Sequence, residues 1–280
     1  RGRTGNGISG RGEGDWNDYI EFMKAQLTEL LTNYGEIGGI WFDGQWDQHE
    51  WDGKRFGKLK ADFKLKEVYE LIHKLQPQAL IGSNHHLSPN PGEDFQMFEK
   101  DLPGKGTKDF ATSADDIGNL PLEVCETING SWGFNLKDRK HKSEKELVQY
   151  LVKAAGYGSN LLLNVGPMPN GKIQEEHIES LKKIGKWVKQ NGQTIYNTKR
   201  GPISPSDEIA STQNGNIVYI HLLDNKKSEY YIEGFKLKFK KISYLESDKK
   251  VSYKKSKTGL NLIIDRKEIN SIDTILKMEL

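Results

Sequence analysis

At 280 residues the chain can bury a large core and has room for two domains. Lys and Arg number 41 against 39 Asp and Glu, a net charge of +2, which gives no case for a nucleic-acid binder. The single cysteine, Cys125, excludes an internal disulfide and a cysteine-based metal cluster within one chain, and no apolar stretch approaches the length of a bilayer span.

The chain opens without Met in a glycine-rich stretch, Arg1 to Gly14, that reads as mid-loop and carries no visible signal peptide; a further part of the protein is expected upstream. Asp15 or Asn17 can cap a helix to about Tyr34, with Tyr19, Phe22, Met23, Leu27, Leu30, Leu31 and Tyr34 on one face and Gly35 as the stop. Gly38 to Trp46 follows. Ile40, Trp41 and Phe42 read as a strand buried on both faces, and Gly44 allows a tight turn, so Asp43 falls at the carboxyl end of that strand. A second helix carries Val68, Leu71, Ile72 and Leu75 and ends before Pro77. Ala79 to Gly82 is a short strand, then a long irregular loop runs from Ser83 to about Asn119.

Leu120 to Ile128 reads as a further strand. Ser143 to Glu146 is a capping box opening a helix with Leu147, Tyr150, Leu151 and Ala154 on one face. Leu161 to Val165 is a second fully apolar strand, Gly166 to Gly171 a turn, and a last helix passes through Ile178, Leu181, Ile184 and Trp187 to Gly192. Helices alternating with apolar strands describe a parallel α/β sheet and resemble the later half of an eight-fold β/α barrel. Past Pro202 the pattern changes to short alternating runs at Ile217–Leu223, Tyr230–Ile232, Leu237–Phe239, Ile242–Leu245, Leu260–Ile264 and Thr274–Leu280, the mark of a small antiparallel sandwich. The expected division is 1–198 for the barrel part and 199–280 for the sandwich. The lysine-rich stretches Lys236–Lys241 and Lys249–Lys257 read as the wet face of that sheet.

The catalytic face of a β/α barrel is the carboxyl end of its strands, which is where Asp43 stands. The plainer alternative is an aspartate that caps a helix or satisfies loop amides. Cleaving a glycosidic bond takes two carboxylates, one attacking the sugar and one protonating the leaving oxygen. The second should come from the next long loop, where Glu93, Asp94, Glu99 and Asp101 crowd together; Glu99 follows the apolar Met97-Phe98 pair, which suits general-acid work. Glu123 and Glu126, flanking Cys125, compete with it, and for any one of these acids the alternative is a solvated loop charge. His85-His86 invites a metal with Glu93 or Asp94. Adjacent histidines diverge on most backbones, however, so a sugar hydroxyl is the better partner. Trp46 and Trp132 are candidate sugar platforms, with core packing as the alternative.

Three segments in order resemble one family, the retaining α-L-fucosidases of glycoside hydrolase family twenty-nine. They are Glu29 to Gly35 followed by Ile40 to Gly44, then Glu123 to Asn129 with Ser131 to Phe134, then Asn160 to Pro167. The likeness covers about Asp15 to Tyr196, and the trailing sandwich fits the family's usual C-terminal domain. The resemblance implies Asp43 as nucleophile, Glu99 as acid/base with Glu123 as competitor, and Trp46 and Trp132 lining the sugar pocket; His85 and His86 join the substrate-binding candidates from the residue reading alone, one of them on a sugar hydroxyl. It implies no metal or cofactor, a fucosylated glycan as substrate and an exported protein. The family's histidine pair would stand on earlier barrel strands, and Ser83 to His86 replaces a segment expected to contain arginine. A non-catalytic sugar-binding relic of a barrel, or another retaining glycosidase, are the alternatives.

Overall fold

The computed structural model describes residues 15–51, 56–106 and 114–280; the side chains at 46, 47, 49, 51 and 56–59, and the glycine-rich opening, lie outside the described residues. Two compact units divide between Glu123 and Val124.

The first unit begins with α1 (Trp16–Asn33), capped by the Asp15 carboxylate accepting from the Asn17 backbone N–H at 2.8 Å. Its buried stripe is Ile20, Leu27 and Leu31 with Met23 beside them; Tyr19, Phe22, Leu30 and Tyr34 are exposed, so the face expected from sequence was too wide. A stripe at spacings of three, four and seven covers one side of a helix, whereas the longer set runs more than halfway round. Strand β1 (Gly39–Phe42) follows, then the short antiparallel pair β2 (His49–Trp51) and β3 (Phe56–Leu59). Next come α2 (Leu65–Leu75), β4 (Leu80–Ser83) and β5 (Phe95–Glu99).

Strands β1, β4 and β5 run parallel in that order, with Trp41 opposite Gly82 and Gly82 opposite Phe95. Ile40 and Phe42 turn toward a cluster of Leu27, Leu31, Val68, Tyr69, Ile72 and Ile81, which packs both helices on one face of the sheet. Trp41 is not buried on both sides as expected: strand alternation sends it to the opposite face, where it is 41% exposed. The Gln76 amide ties the layers together, donating to Leu31 O and Gly35 O and accepting from Ile37 N. The stretch 83–119 is not one irregular loop. β5 lies within it, masked in the sequence by the acidic residues on either side of a five-residue strand.

In the second unit β6 (Leu122–Thr127), which opens at the division, is hydrogen-bonded to β7 (Ser159–Asn164). Between them lies α3 (Glu144–Gly156), whose capping box pairs Ser143 and Glu146 reciprocally. Leu162 on β7 is 39% exposed, so this strand too is less enclosed than its apolar run implies. After α4 (Glu175–Asn191) come eight antiparallel strands: β8 (Lys199–Arg200), β9 (Ile209–Asn214), β10 (Ile217–Leu222), β11 (Glu229–Glu233), β12 (Lys241–Tyr244), β13 (Ser252–Lys255), β14 (Gly259–Ile263) and β15 (Thr274–Glu279). They form two sheets, β12-β15-β10-β9-β8 and β11-β14-β13, over a shared core that includes Val218, Ile220, Leu276 and Met278 from one and Tyr230, Ile232, Leu260 and Leu262 from the other. This is the expected antiparallel sandwich. Leu237–Phe239 is not a strand; the Phe239 ring leaves any ladder to pack edge-on against Phe235 and Tyr253.

α3 and α4 join the sandwich strands in a second cluster made of Val148, Val152, Trp187, Ala210, Tyr219, Leu223 and Ile275. Among the described residues no helix is long and apolar enough to cross a membrane.

Candidate active site

Strand alternation and register place the candidate residues. Asp43 and Asn84 stand one step beyond the paired positions Phe42 and Ser83, at the carboxyl ends of β1 and β4, and the Asn84 backbone N–H donates to Phe42 O at 2.9 Å. Trp41 and Asp43 share one face of the sheet, as do Gly82 and Asn84, and Phe95, Met97 and Glu99. This is the face away from the helices. Gly82 is needed there, because a β-carbon at this position would sit 2.2 Å from the Phe95 ring. Gly44, at φ +87°, makes the turn that ends β1 just after Asp43.

The Asn84 side chain joins the two leading candidates. Its Nδ2 donates to Oε2 of Glu99 at 2.9 Å and lies 3.4 Å from Oδ1 of Asp43. Legs of 3.4 and 2.9 Å through one nitrogen bound the separation of those two oxygens at about 6.3 Å. Asn84 is 2% exposed, and its Oδ1 finds no donor among the described residues.

The two histidines diverge, as adjacent residues should. Nε2 of His85 faces both oxygens of Glu93 at 3.0 and 3.1 Å, while its Nδ1 accepts from the Leu87 backbone N–H at 3.1 Å. Both ring nitrogens of His85 are therefore engaged inside the protein. His86 adopts the left-handed region at φ +63° and turns the other way, its Nε2 3.7 Å from Oε2 of Glu99. Burial and neighbouring His85 lower the His86 pKa to about 4 against the opposing pull of Asp43, so the ring is neutral near pH 7.

The acidic crowd sorts by partner. Glu93 is buried, accepting from the Tyr69 hydroxyl at 3.0 Å as well as from His85 and Asn90. Burial and Glu93 hold the Tyr69 hydroxyl well above its ordinary pKa, so it remains a donor. Asp94 accepts from Ile81 N–H at 2.8 Å and meets His73 at 3.1 Å. Asp101 accepts from the Leu102 backbone N–H at 3.1 Å. Glu126 lies 3.3 Å from the Lys142 ammonium. Glu123 receives a hydrogen bond from the Trp41 indole, and burial raises its pKa. Among the described residues no three His, Cys, Asp or Glu side chains gather as metal ligands.

Trp46 lies on a single 3₁₀ turn, Gln45–Gln48, and its side chain falls outside the described residues. In the second unit, Trp132 is 37% exposed and its carbonyl accepts from the Asn164 amide at 2.7 Å. Sequence reasoning missed Asn84 and Tyr69. The one signal for Asn84 was its place directly after a four-residue strand, opposite Asp43 once the register is known.

The pattern of the α-L-fucosidase family matches residues 5–193 of this chain. The chain is 25% identical over 229 residues to alpha-L-fucosidase 1 of Arabidopsis thaliana, covering 76% of this chain and 43% of that protein. It is 30% identical over 161 residues to the plasma alpha-L-fucosidase of Homo sapiens, covering 48% and 34%. Among solved structures it superposes on alpha-L-fucosidase isoenzyme 1 from Paenibacillus thiaminolyticus with TM-score 0.75 and 28% identity, covering 99% of this chain and 66% of that one. A Bacteroides thetaiotaomicron GH29 alpha-L-fucosidase, solved as a trapped covalent intermediate with 2-fluoro-fucosyl fluoride, shares the fold at TM-score 0.72 and 19% identity, over 94% of this chain and 61% of that chain. The chain thus spans less than half the length of the two curated relatives and 66% of the Paenibacillus structure. With 189 of its 280 residues inside the family's pattern, this chain belongs to the α-L-fucosidase family.

Proposed function

We propose that the chain carries the catalytic carboxylates of a retaining exo-α-L-fucosidase, which releases terminal α-L-fucose from fucosylated glycans. In this reading residues 1–198 are the later part of a (β/α)8-type barrel and 199–280 its C-terminal sandwich, in an exported protein. The observation that carries it is the Asn84 amide lying between Asp43 and Glu99, which keeps their facing oxygens within about 6.3 Å. Retaining glycosidases hold their two carboxyl groups about 5–5.5 Å apart, and inverting ones about 6.5–9.5 Å, leaving room for a water.

Asp43 attacks the anomeric carbon as Glu99 passes its proton to the departing glycosidic oxygen, and a fucosyl ester forms on Asp43. Glu99 then takes a proton from water, which attacks the same carbon and frees Asp43, so the configuration is retained. No step calls for a metal or cofactor. His86, neutral and beside Glu99, is suited to a sugar hydroxyl; Trp46 and Trp132 are sugar-contacting candidates by family resemblance alone, and His85 supports the loop from behind. The covalent intermediate captured in the Bacteroides relative is consistent with this route.

The test is release of nitrophenol from an aryl α-L-fucoside set against other aryl glycosides, followed by labelling with 2-fluoro-fucosyl fluoride and peptide mass spectrometry. Fucoside turnover with a label on Asp43 is expected. Turnover of another glycoside would reassign the substrate, a label elsewhere would reassign the nucleophile, and sugar binding without turnover would leave a binding protein.

A further inference from the structure

Asn84 is buried, is anchored through its backbone to β1, and reaches both candidate carboxylates with one amide nitrogen. Its Oδ1 meanwhile lacks a donor among the described residues. An orphaned buried acceptor lowers stability, so packing alone does not account for an amide at this position. A −NH2 group has two hydrogens in one plane, enough for two acceptors at once.

The double displacement proposed above moves negative charge. When the bond from Asp43 to the anomeric carbon forms, the bond to the leaving oxygen breaks and the Glu99 proton goes to that oxygen. The charge has passed from Asp43 to Glu99. Attack by water breaks the ester, returns the charge to Asp43 and the proton to Glu99. A donor fixed between the two serves either charged state without rearranging, and hydrogen bonds to an ionised acceptor are about twice as strong as neutral ones.

Building on that reading of Asp43 and Glu99, we infer that Asn84 is a positioning residue shared by both half-reactions, its amide hydrogens aimed at the two carboxylates so that whichever is charged finds a donor in place. This assigns Asn84 to the chemistry and separates it from the network around His85, which lies on the other side of the loop.

The experiment uses the full-length protein and an aryl α-L-fucoside with a good leaving group, for which kcat reports hydrolysis of the fucosyl-enzyme and kcat/KM reports its formation. Asn84→Ala should lower both, each roughly 10- to 100-fold. Losing a donor to a carboxylate raises its pKa, so both limbs of the kcat/KM pH profile should move upward by about half a unit or more. The melting temperature should stay within about 2 °C of the wild type, because the orphaned acceptor leaves as well. Asn84→Asp, nearly the same shape, places a third carboxylate there and should push both limbs higher still; it decides the matter if the alanine variant does not fold. An active wild type with unmoved limbs in the variants, or loss in one kinetic constant only, overturns the shared role. A wild type inactive on α-L-fucosides overturns the fucosidase reading, and this inference with it.

Discussion

Nε2 of His85 lies 3.0 Å from one oxygen of Glu93 and 3.1 Å from the other, with both side chains almost wholly buried. Because the Leu87 N–H takes Nδ1, the proton of a neutral ring sits on Nε2 and points at the carboxylate. The Tyr69 hydroxyl and two Asn90 groups also donate to Glu93. This network pins the loop after β4, and with it the left-handed turn that directs His86 toward Glu99.

Glu93→Ala therefore strands a buried phenol and a buried imidazole, and should cost about 3 kcal/mol of stability in denaturant melts. Glu93→Gln keeps the shape and one acceptor and should cost about half as much. In both variants activity at temperatures well below melting should fall, since the loop carries Asn84 and His86. Full activity in a destabilised Glu93→Ala would show that the network supports the fold without ordering the site.

The His86 pKa near 4, against about 6.5 for an unfolded histidine, ties stability to pH. Between those values the unfolded chain binds the extra proton and the folded one does not. Stability from this group is thus complete above pH 6.5 and is lost as pH falls toward 4, by about 3 kcal/mol in all. His86→Gln should remove that slope. Urea midpoints from pH 4 to 7 check it: the wild type should lose stability relative to the variant as pH falls, and parallel curves would mean His86 is not held neutral.

Asp43 was legible in the sequence because a short apolar run followed by glycine has few other interpretations, and Gly44 does take positive φ. The Ser143 capping box was legible for the same reason, a local rule with local partners. Asn84 was not, since its importance lies in register: it meets Asp43 only once Phe42 pairs with Ser83. β5 was hidden because Gln96 and Glu99 interrupt its apolar character, although Gln96 is buried and bonded to backbone at Leu87 and Asp116. The exposure of Trp41 was missed because an apolar run does not say which face of a strand is covered.

Glu99 and Glu123 make different predictions as acid/base. Glu99 sits with Asp43 around Asn84, whereas Glu123 has the burial-raised pKa that an acid can use but is tied to the Trp41 indole. A general acid matters most when the leaving group is poor. Glu99→Ala should cost roughly 10²- to 10⁴-fold on natural linkages and far less on a dinitrophenyl fucoside, with azide restoring turnover of the latter. Glu123→Ala should reduce both substrates by similar, smaller factors. The reverse pattern would transfer the role to Glu123.

The second unit has its own buried polar pair. Nδ1 of His221 on β10 meets Oδ2 of Asp273 at 2.6 Å, and neither side chain has any exposed surface. Nε2 of His221 and Oδ1 of Asp273 find no partner among the described residues. Each member is thus tolerable because the other is present. Removing one, as in Asp273→Ala, should cost about 3–5 kcal/mol, while replacing both with apolar residues of similar volume should cost much less. A double-mutant cycle on thermal or urea unfolding measures the difference. Additive losses would show that the two groups are held independently; a large coupling would show that β10 and the start of β15 are locked by this contact.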